Sequence, residues 1–186
     1  MRPSPLLPTP GQTVGPFYGF ALPYDGGCHL VPEDHPGAVL LHGTVRDGHG
    51  DPVPDALLEI WQADTDGVVP QRQGSLRRDG VTFTGWGRAA TDGAGRYSFT
   101  TVEPGATGDG CAPFIAMTVL ARGLMNRLFT RVYLPGHAAL ATDPLLGSLP
   151  DGRRGTLVAR RDDDGLLFDV RLQGDGETVF LSYPGH

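Results

Sequence analysis

The chain has 186 residues, 39% of them hydrophobic, with 28 glycines, 17 prolines and a formal net charge of −6, a length that suits one domain with a buried core of its own. Every basic residue is an arginine, scattered in ones and twos among a larger number of acids, which leaves no electrostatic footprint for a phosphate backbone and argues against a nucleic-acid partner. No stretch approaches the ~20 consecutive apolar residues of a membrane-spanning helix, so the expectation is a soluble, cytoplasmic protein with no membrane partner.

Residues 3–18, PSPLLPTPGQTVGPFY, hold too many prolines for a helix, and Leu6, Leu7, Val14, Phe17 and Tyr18 are too apolar for a solvated tail. They read as part of an extended N-terminal arm, residues 1–24, that lies on something. Its own domain and a neighbouring subunit are both open as that something. Residues 25–186 read as one sandwich domain, beginning with a polar loop over 25–37 that carries Cys28. Cys28 and Cys111 make no metal motif and read as free thiols of a reducing compartment.

Ala38–Arg46 reads as a strand, Asp47–Gly50 as a tight turn and Ala56–Gln62 as a second strand, the two expected to form a hairpin. Ala63–Gly67 closes that strand; its acids are spaced like a calcium loop but lack the closing glutamate, so a solvated turn is expected. Residues 68–84 read as a long loop on the rim. Ala89–Thr91, Asp92–Gly95 and Arg96–Thr100 read as a second hairpin, glycines supplying positive φ at the turn. Phe114–Leu120 is a nearly continuous apolar run, suited to a central strand buried on both faces. Leu128–Leu134 alternates, and residues 137–155 are expected to hold a helical turn or short helix. Thr156–Arg160 and Leu166–Leu172 flank the turn Asp162–Gly165, whose acids read as a hairpin tip rather than a metal site, with no partner for them elsewhere in the sequence. Glu177–Leu181 reads as a last short strand. The fold expected is all-β: a two-sheet β-sandwich with an extended N-terminal arm and long rim loops.

The six histidines never occur as His-x-His, and each alone reads as a surface residue. There is no G-x-S-x-G elbow, Walker loop or C-x-x-C pair. A self-contained catalyst is therefore not visible. Any site of the chain's own is expected within Gly85–Leu134.

Taken in order, Gln12–Thr13–Val14–Gly15–Pro16–Phe17–Tyr18, Leu58–Asp64, Gly87–Asp92, Leu120–Leu124 and Gly174–Phe180 give a pattern that resembles the intradiol ring-cleavage dioxygenases over nearly the whole chain. Within that family it is most similar to the alpha subunits. Working subunits of the family hold ferric iron with two tyrosines and two histidines, a hard set suited to Fe(III). This sequence departs from that set. Phe114–Ile115–Ala116 stands where His-x-His is expected, Ala106–Thr107 follows Pro104–Gly105 where a ligand tyrosine is expected, and the rim loop from Val68 to Gly80 has no tyrosine. Phenyl and methyl groups do not coordinate iron.

The resemblance therefore implies no metal ligand and no catalytic residue in this chain, with Fe(III) held by a catalytic beta subunit as partner in a hetero-oligomer. It implies that Thr13, Gly15, Pro16, Phe17 and Arg122 bind substrate, completing the partner's pocket for a small aromatic acid at the shared interface. Phe17 departs from the tyrosine common at that position. Arg122 would favour an anionic ring, or instead form a structural ion pair at the interface; Thr13 would contact substrate, or cap the arm. The activity implied is cleavage of protocatechuate with O2 to 3-carboxy-cis,cis-muconate. The alternative is a noncatalytic β-sandwich binding or scaffolding module.

Overall fold

The computed structural model describes residues 13–71 and 79–183. One helical turn, α1 (Tyr18–Ala21), precedes the strands β1 (Ala38–Arg46), β2 (Leu57–Gln62), β3 (Trp86–Ala90), β4 (Arg96–Val102), β5 (Phe114–Leu120) and β6 (Leu128–Tyr133). A 3-10 turn (Ala138–Ala141) and the short helices α2 (Pro144–Ser148) and α3 (Asp151–Arg154) follow, as expected of residues 137–155. The strands β7 (Arg160–Arg161), β8 (Gly165–Leu167) and β9 (Val170–Arg171) complete the described chain. One sheet runs β4-β1-β8-β7, with β9 also paired to β1; the other runs β3-β2-β5-β6 and is antiparallel throughout.

Period-two alternation drives the sandwich. Leu58 and Ile60 of β2 and Ile115, Met117 and Val119 of β5 point inward, against Leu41 and Val45 of β1 and Tyr97 and Phe99 of β4. Each such side chain contributes about 1.5–3 kcal/mol relative to leaving it in water. One polar link crosses between the sheets and a second runs over β1 within its own sheet. Gln62 donates from Nε2 to the Val102 carbonyl at 2.8 Å and accepts from Thr101 Oγ1 at 2.8 Å. The buried hydroxyl of Tyr97 donates to the Phe168 carbonyl at 2.6 Å. Gly43 makes that approach possible, because a Cβ there would lie 1.9 Å from the same carbonyl.

Five expectations need correction. β1 and β2 are not a hairpin: β1 pairs β4, from Ala38 opposite Val102 to Thr44 opposite Arg96, whereas β2 pairs β3 and β5. Past the Asp47–Gly50 turn the chain pairs with β1 only briefly, Pro52 bridging Arg46 and Val53 N donating to the Val45 carbonyl at 2.9 Å, and from Pro54, which cannot donate, it crosses to the other sheet. The turn at Asp92–Gly95 forms, with Asp92 Oδ1 accepting from Ala94 N at 2.9 Å and Arg96 N at 2.8 Å. It is a corner rather than a hairpin, since β3 and β4 belong to different sheets. β5 is buried on one face only: Ile115, Met117 and Val119 are enclosed while Phe114, Ala116, Thr118 and Leu120 are half-buried. Finally, Thr156–Leu157 lies in a 3-10 turn and Glu177–Leu181 makes a single bridge, Leu181 to Phe129. Scattered main-chain and side-chain bonds hold the latter segment, among them Thr178 N to the Arg171 carbonyl at 3.0 Å and Thr130 Oγ1 to the Val179 carbonyl at 2.8 Å.

Candidate functional site

The described part of the arm lies on its own domain, across one end of the outer face of the β3-β2-β5-β6 sheet. Thr13 Oγ1 accepts from the N–H of Gly123, just past β5, at 2.8 Å. Tyr18 donates its hydroxyl to the carbonyl of Asp55, just before β2. The Leu22 carbonyl accepts from Arg88 Nη1, on β3, at 2.8 Å, and the Tyr24 ring stacks on Trp86 with centroids 6.0 Å apart. Three neighbouring strands thus anchor residues 13–24 to their own domain; residues 1–12 lie outside the described residues.

Asp55 is the hinge of this arrangement. It is the one non-glycine residue with positive φ among those described, at +60°, a sparsely populated conformation for a residue with a side chain. Its carbonyl meets Tyr18 and its carboxylate meets Arg122, Nε to Oδ2 at 2.9 Å. Burial, then the charge of Asp55, pushes the Tyr18 hydroxyl up to about 12 against the opposing charge of Arg122. Tyr18 is therefore a neutral donor at any physiological pH.

Of the expected substrate-binding residues, the structure brings Thr13 and Arg122 together through Gly123. Gly15, Pro16 and Phe17 lie exposed on the turn between Thr13 and Tyr18, with Gly15 accepting from Tyr18 N at 3.2 Å and the Phe17 ring 75% exposed. Arg122 is 60% exposed in its side chain, so its ion pair adds at most about 1 kcal/mol of stability and serves to hold the guanidinium in place. Sequence reasoning placed Tyr18 in the arm without its anchoring role and missed Asp55 altogether. The one signal for Asp55 is its position after Pro52–Val53–Pro54, where a turn residue must re-aim the chain into β2.

The positions expected to match iron ligands lie on the same outer face. Ala116 stands directly opposite Arg131 of β6, and the Arg131 guanidinium lies 4.0 Å from the centroid of the Phe114 ring. Arg131 Nη1 donates to the Tyr133 hydroxyl at 3.2 Å, which donates to Asp143 Oδ1 at 3.0 Å. Burial, chiefly, lifts Tyr133 to about 12. Burial opposes ionisation of Asp143, yet bonds from the Leu146 and Ala112 main chain, the Tyr133 hydroxyl and the Leu145 main chain hold it below the usual carboxylate value. A ferric ion does not fit here: the groups present are a phenyl ring, a methyl and a guanidinium whose charge would repel it. Ala106 and Thr107 are exposed on the loop after Pro104–Gly105.

One His/Asp group does occur among the described residues. His42, Asp162 and Asp164 offer ligand atoms within 4.8 Å of one another, but on the opposite sheet. Asp162 there also accepts from the main chain of Asp164 and Gly165 at 3.0 and 2.9 Å, forming the turn. The hairpin tip is thus as expected, and His42 is the partner that the sequence did not reveal, brought in by the parallel pairing of β1 with β8.

A dioxygenase family model matches residues 14–113. The chain is 41% identical over 194 residues to the protocatechuate 3,4-dioxygenase alpha chain of Burkholderia cepacia, covering 95% of this chain and 98% of that one. The chain belongs to the intradiol dioxygenase family. This intradiol dioxygenase chain is also 34% identical over 158 residues to the protocatechuate 3,4-dioxygenase beta chain of Burkholderia cepacia, covering 75% of this chain and 66% of that one. A solved relative is the dioxygenase domain of a dioxygenase and carbohydrate-binding protein fusion from Streptomyces sp. SirexAA-E, with a TM-score of 0.60 at 28% identity, covering 90% of this chain and 99% of that one. The β-sandwich is the fold shared by the intradiol dioxygenases, and no helix among the described residues is long and apolar enough to cross a membrane.

Proposed function

We propose that this chain is the alpha subunit of a hetero-oligomeric ferric intradiol dioxygenase that cleaves protocatechuate with O2 to 3-carboxy-cis,cis-muconate. Both atoms of O2 enter the product. The observation that carries the reading is the Arg131 guanidinium over Phe114 and opposite Ala116: the chain matches an alpha chain over nearly its full length, yet offers a cation where a metal would need donors. Iron then belongs to a catalytic beta subunit, where, when bound, it supplies the centre at which ring and O2 react.

This chain contributes binding. The arm, residues 1–24, and the sandwich, residues 25–186, act as two working parts. Thr13, Gly15, Pro16, Phe17 and Arg122 line the edge of the partner's pocket, with Arg122 presenting a permanent positive charge to the carboxylate or catecholate of the substrate. Asp55 holds that charge and Tyr18 fixes the arm, so little side-chain entropy remains to be lost on binding. Phe17 supplies a ring without the hydroxyl of a tyrosine. The free thiol of Cys111 suits the reducing cytoplasm.

The test is to purify the chain alone and co-expressed with a beta-type partner, measuring iron content, the visible tyrosinate-to-iron absorption and protocatechuate-dependent O2 uptake. Iron and activity in the complex, with neither in the lone chain, are expected. Iron in the lone chain overturns the reading, and failure to associate favours the scaffolding alternative.

A further inference from the structure

A cleft of about 710 Å3 opens where the free edges of β3 and β4, one from each sheet, approach each other. Residues 27–30 close the gap between those edges at one end. Arg88 N donates to the Gly27 carbonyl at 2.8 Å, Thr100 N to the Cys28 carbonyl at 2.9 Å, and Leu30 N to the Thr100 carbonyl at 2.8 Å. Main-chain groups alternate in direction along an antiparallel strand. The next residues that face the same way, Ala90 and Ser98, therefore turn their N–H and carbonyl groups into the opening, where no described residue bonds them.

The floor of the cleft is polar at one spot. Tyr97 and Phe99 face the core, so Arg96 and Ser98 face outward, with Thr44 directly opposite Arg96 and His42 directly opposite Ser98. Among the described arginines, Arg96 alone has a guanidinium with no hydrogen bond, ion pair or ring contact. The hydroxyls of Thr44 and Ser98 beside it likewise bond no described residue. Asp92, which lines the same cleft, turns Oδ1 to the N–H groups of Ala94 and Arg96, at 2.9 and 2.8 Å, and makes no ion pair with the guanidinium. His42 is engaged through Nε2 with Asp162 at 3.2 Å. Pro23, Tyr24, Leu40 and Leu167 make the rest of the lining apolar, and the Tyr24 ring is held by its stacking on Trp86.

We infer that this cleft is a binding site for a small aromatic carboxylate, separate from the edge of the partner's pocket. Arg96 receives the carboxylate, Thr44 and Ser98 add hydroxyl donors, and the ring lies along the apolar lining. A guanidinium fork matches a planar carboxylate, and the cleft has the size of a small-molecule site. One unopposed cation suits a monoanion better than a phosphate dianion, because Arg88, the other arginine lining the cleft, is already paired with Glu59 at 2.6 Å. Thr13, Gly15, Pro16, Phe17 and Arg122 do not line it, and β3 and β2 stand between its opening and β5, beyond which Arg122 lies. The site therefore does not depend on the subunit reading.

The test is isothermal titration calorimetry of the full chain, alone or in its complex as purified, with benzoate as the probe. Saturable binding at one site per chain is expected. Arg96→Gln should weaken it tenfold or more, and Ser98→Trp, a bulky residue placed at an exposed position of the cleft, should abolish it with unchanged circular dichroism. Arg160→Gln, which removes an arginine of the same sheet that is paired with Asp169, should leave it unchanged, and neutral benzamide should not compete. Absence of saturable binding overturns the proposal. Binding that survives both cleft variants, or that is lost in Arg122→Ala instead, places benzoate elsewhere and overturns it too. Inorganic phosphate binding as tightly as benzoate, with the same dependence on Arg96, overturns the aromatic carboxylate as the ligand.

Discussion

The Arg122 guanidinium sits 2.9 Å from the carboxylate of Asp55, and the main-chain carbonyl of that same aspartate receives the Tyr18 hydroxyl. One residue therefore ties the arm and the exposed arginine to a single point at the start of β2. The site depends on that junction more than on any feature of the arm by itself.

Replacement of Arg122 by alanine should leave the fold intact, because an ion pair this exposed contributes about 1 kcal/mol or less. In the assembled enzyme it should lower kcat/KM by roughly ten- to hundredfold, the size of one charge-assisted contact. Steady-state O2 uptake with protocatechuate checks this. Unchanged kinetics in an intact assembly would leave Arg122 as the structural ion pair alone.

Three tyrosines should make the protein sensitive to alkali. Tyr18 and Tyr133 are lifted to about 12, in both cases chiefly by burial, and Tyr97 is raised well above its ordinary value by burial and the charge of Asp169. A folded-state pKa above the unfolded value of ~10 means that the native state holds its protons longer. Stability is fully present below about pH 10 and falls as pH rises towards 12. Thermal melts across that range, followed alongside phenolate absorption, should show unfolding and ionisation together; buried tyrosines titrating near 10 in the folded protein would contradict the geometry.

Asp143 should be the most damaging single polar loss. It caps α2 through Leu145 and Leu146 N–H at 3.0 and 3.1 Å, accepts from Ala112 N at 3.0 Å, and receives the buried Tyr133 hydroxyl. Asp143→Ala removes a cap and strands buried donors, for a loss on the order of 2–4 kcal/mol in urea unfolding. Because its folded-state pKa is depressed, its contribution is present above the unfolded carboxylate value of ~4 and lost as pH falls below it. The wild-type stability should therefore decline into acid, and the variant should decline less.

Installing histidines at the expected metal positions should not create an iron site. The double variant Phe114→His, Ala116→His leaves Arg131 in place and supplies no tyrosinate, so metal analysis after purification should find no stoichiometric iron. Stoichiometric Fe(III) in that variant would show that the guanidinium is no barrier.

The strands up to β6, the tight turns and the helical segment after β6 were legible because each depends on near neighbours: alternation along β2 and β6, aspartates and glycines at Asp47–Gly50, Asp92–Gly95 and Asp162–Gly165, a proline and a capping aspartate at the start of α2. Arg122 and Thr13 were singled out through the family pattern, and the structure sets them one residue apart through Gly123. Asp55 was not, because nothing local distinguishes a turn aspartate that meets an arginine and a tyrosine from one that meets water. His42 beside Asp162 was hidden for the same reason.

By itself the sequence determined the class of the fold, the positions of its turns and the lack of iron-binding side chains at Phe114 and Ala116, all properties of residue type and short-range spacing. Partnership was decided only by the tertiary structure: which sheet each arm of the Asp92–Gly95 turn would join, that β1 pairs β4 and not β2, and that the arm spans β5, β2 and β3 of its own domain. Alternating apolar residues look the same whichever strand lies beside them, so pairing is fixed by the joint packing of distant segments. That packing also sets Arg131 over Phe114 and brings Arg122 to Asp55.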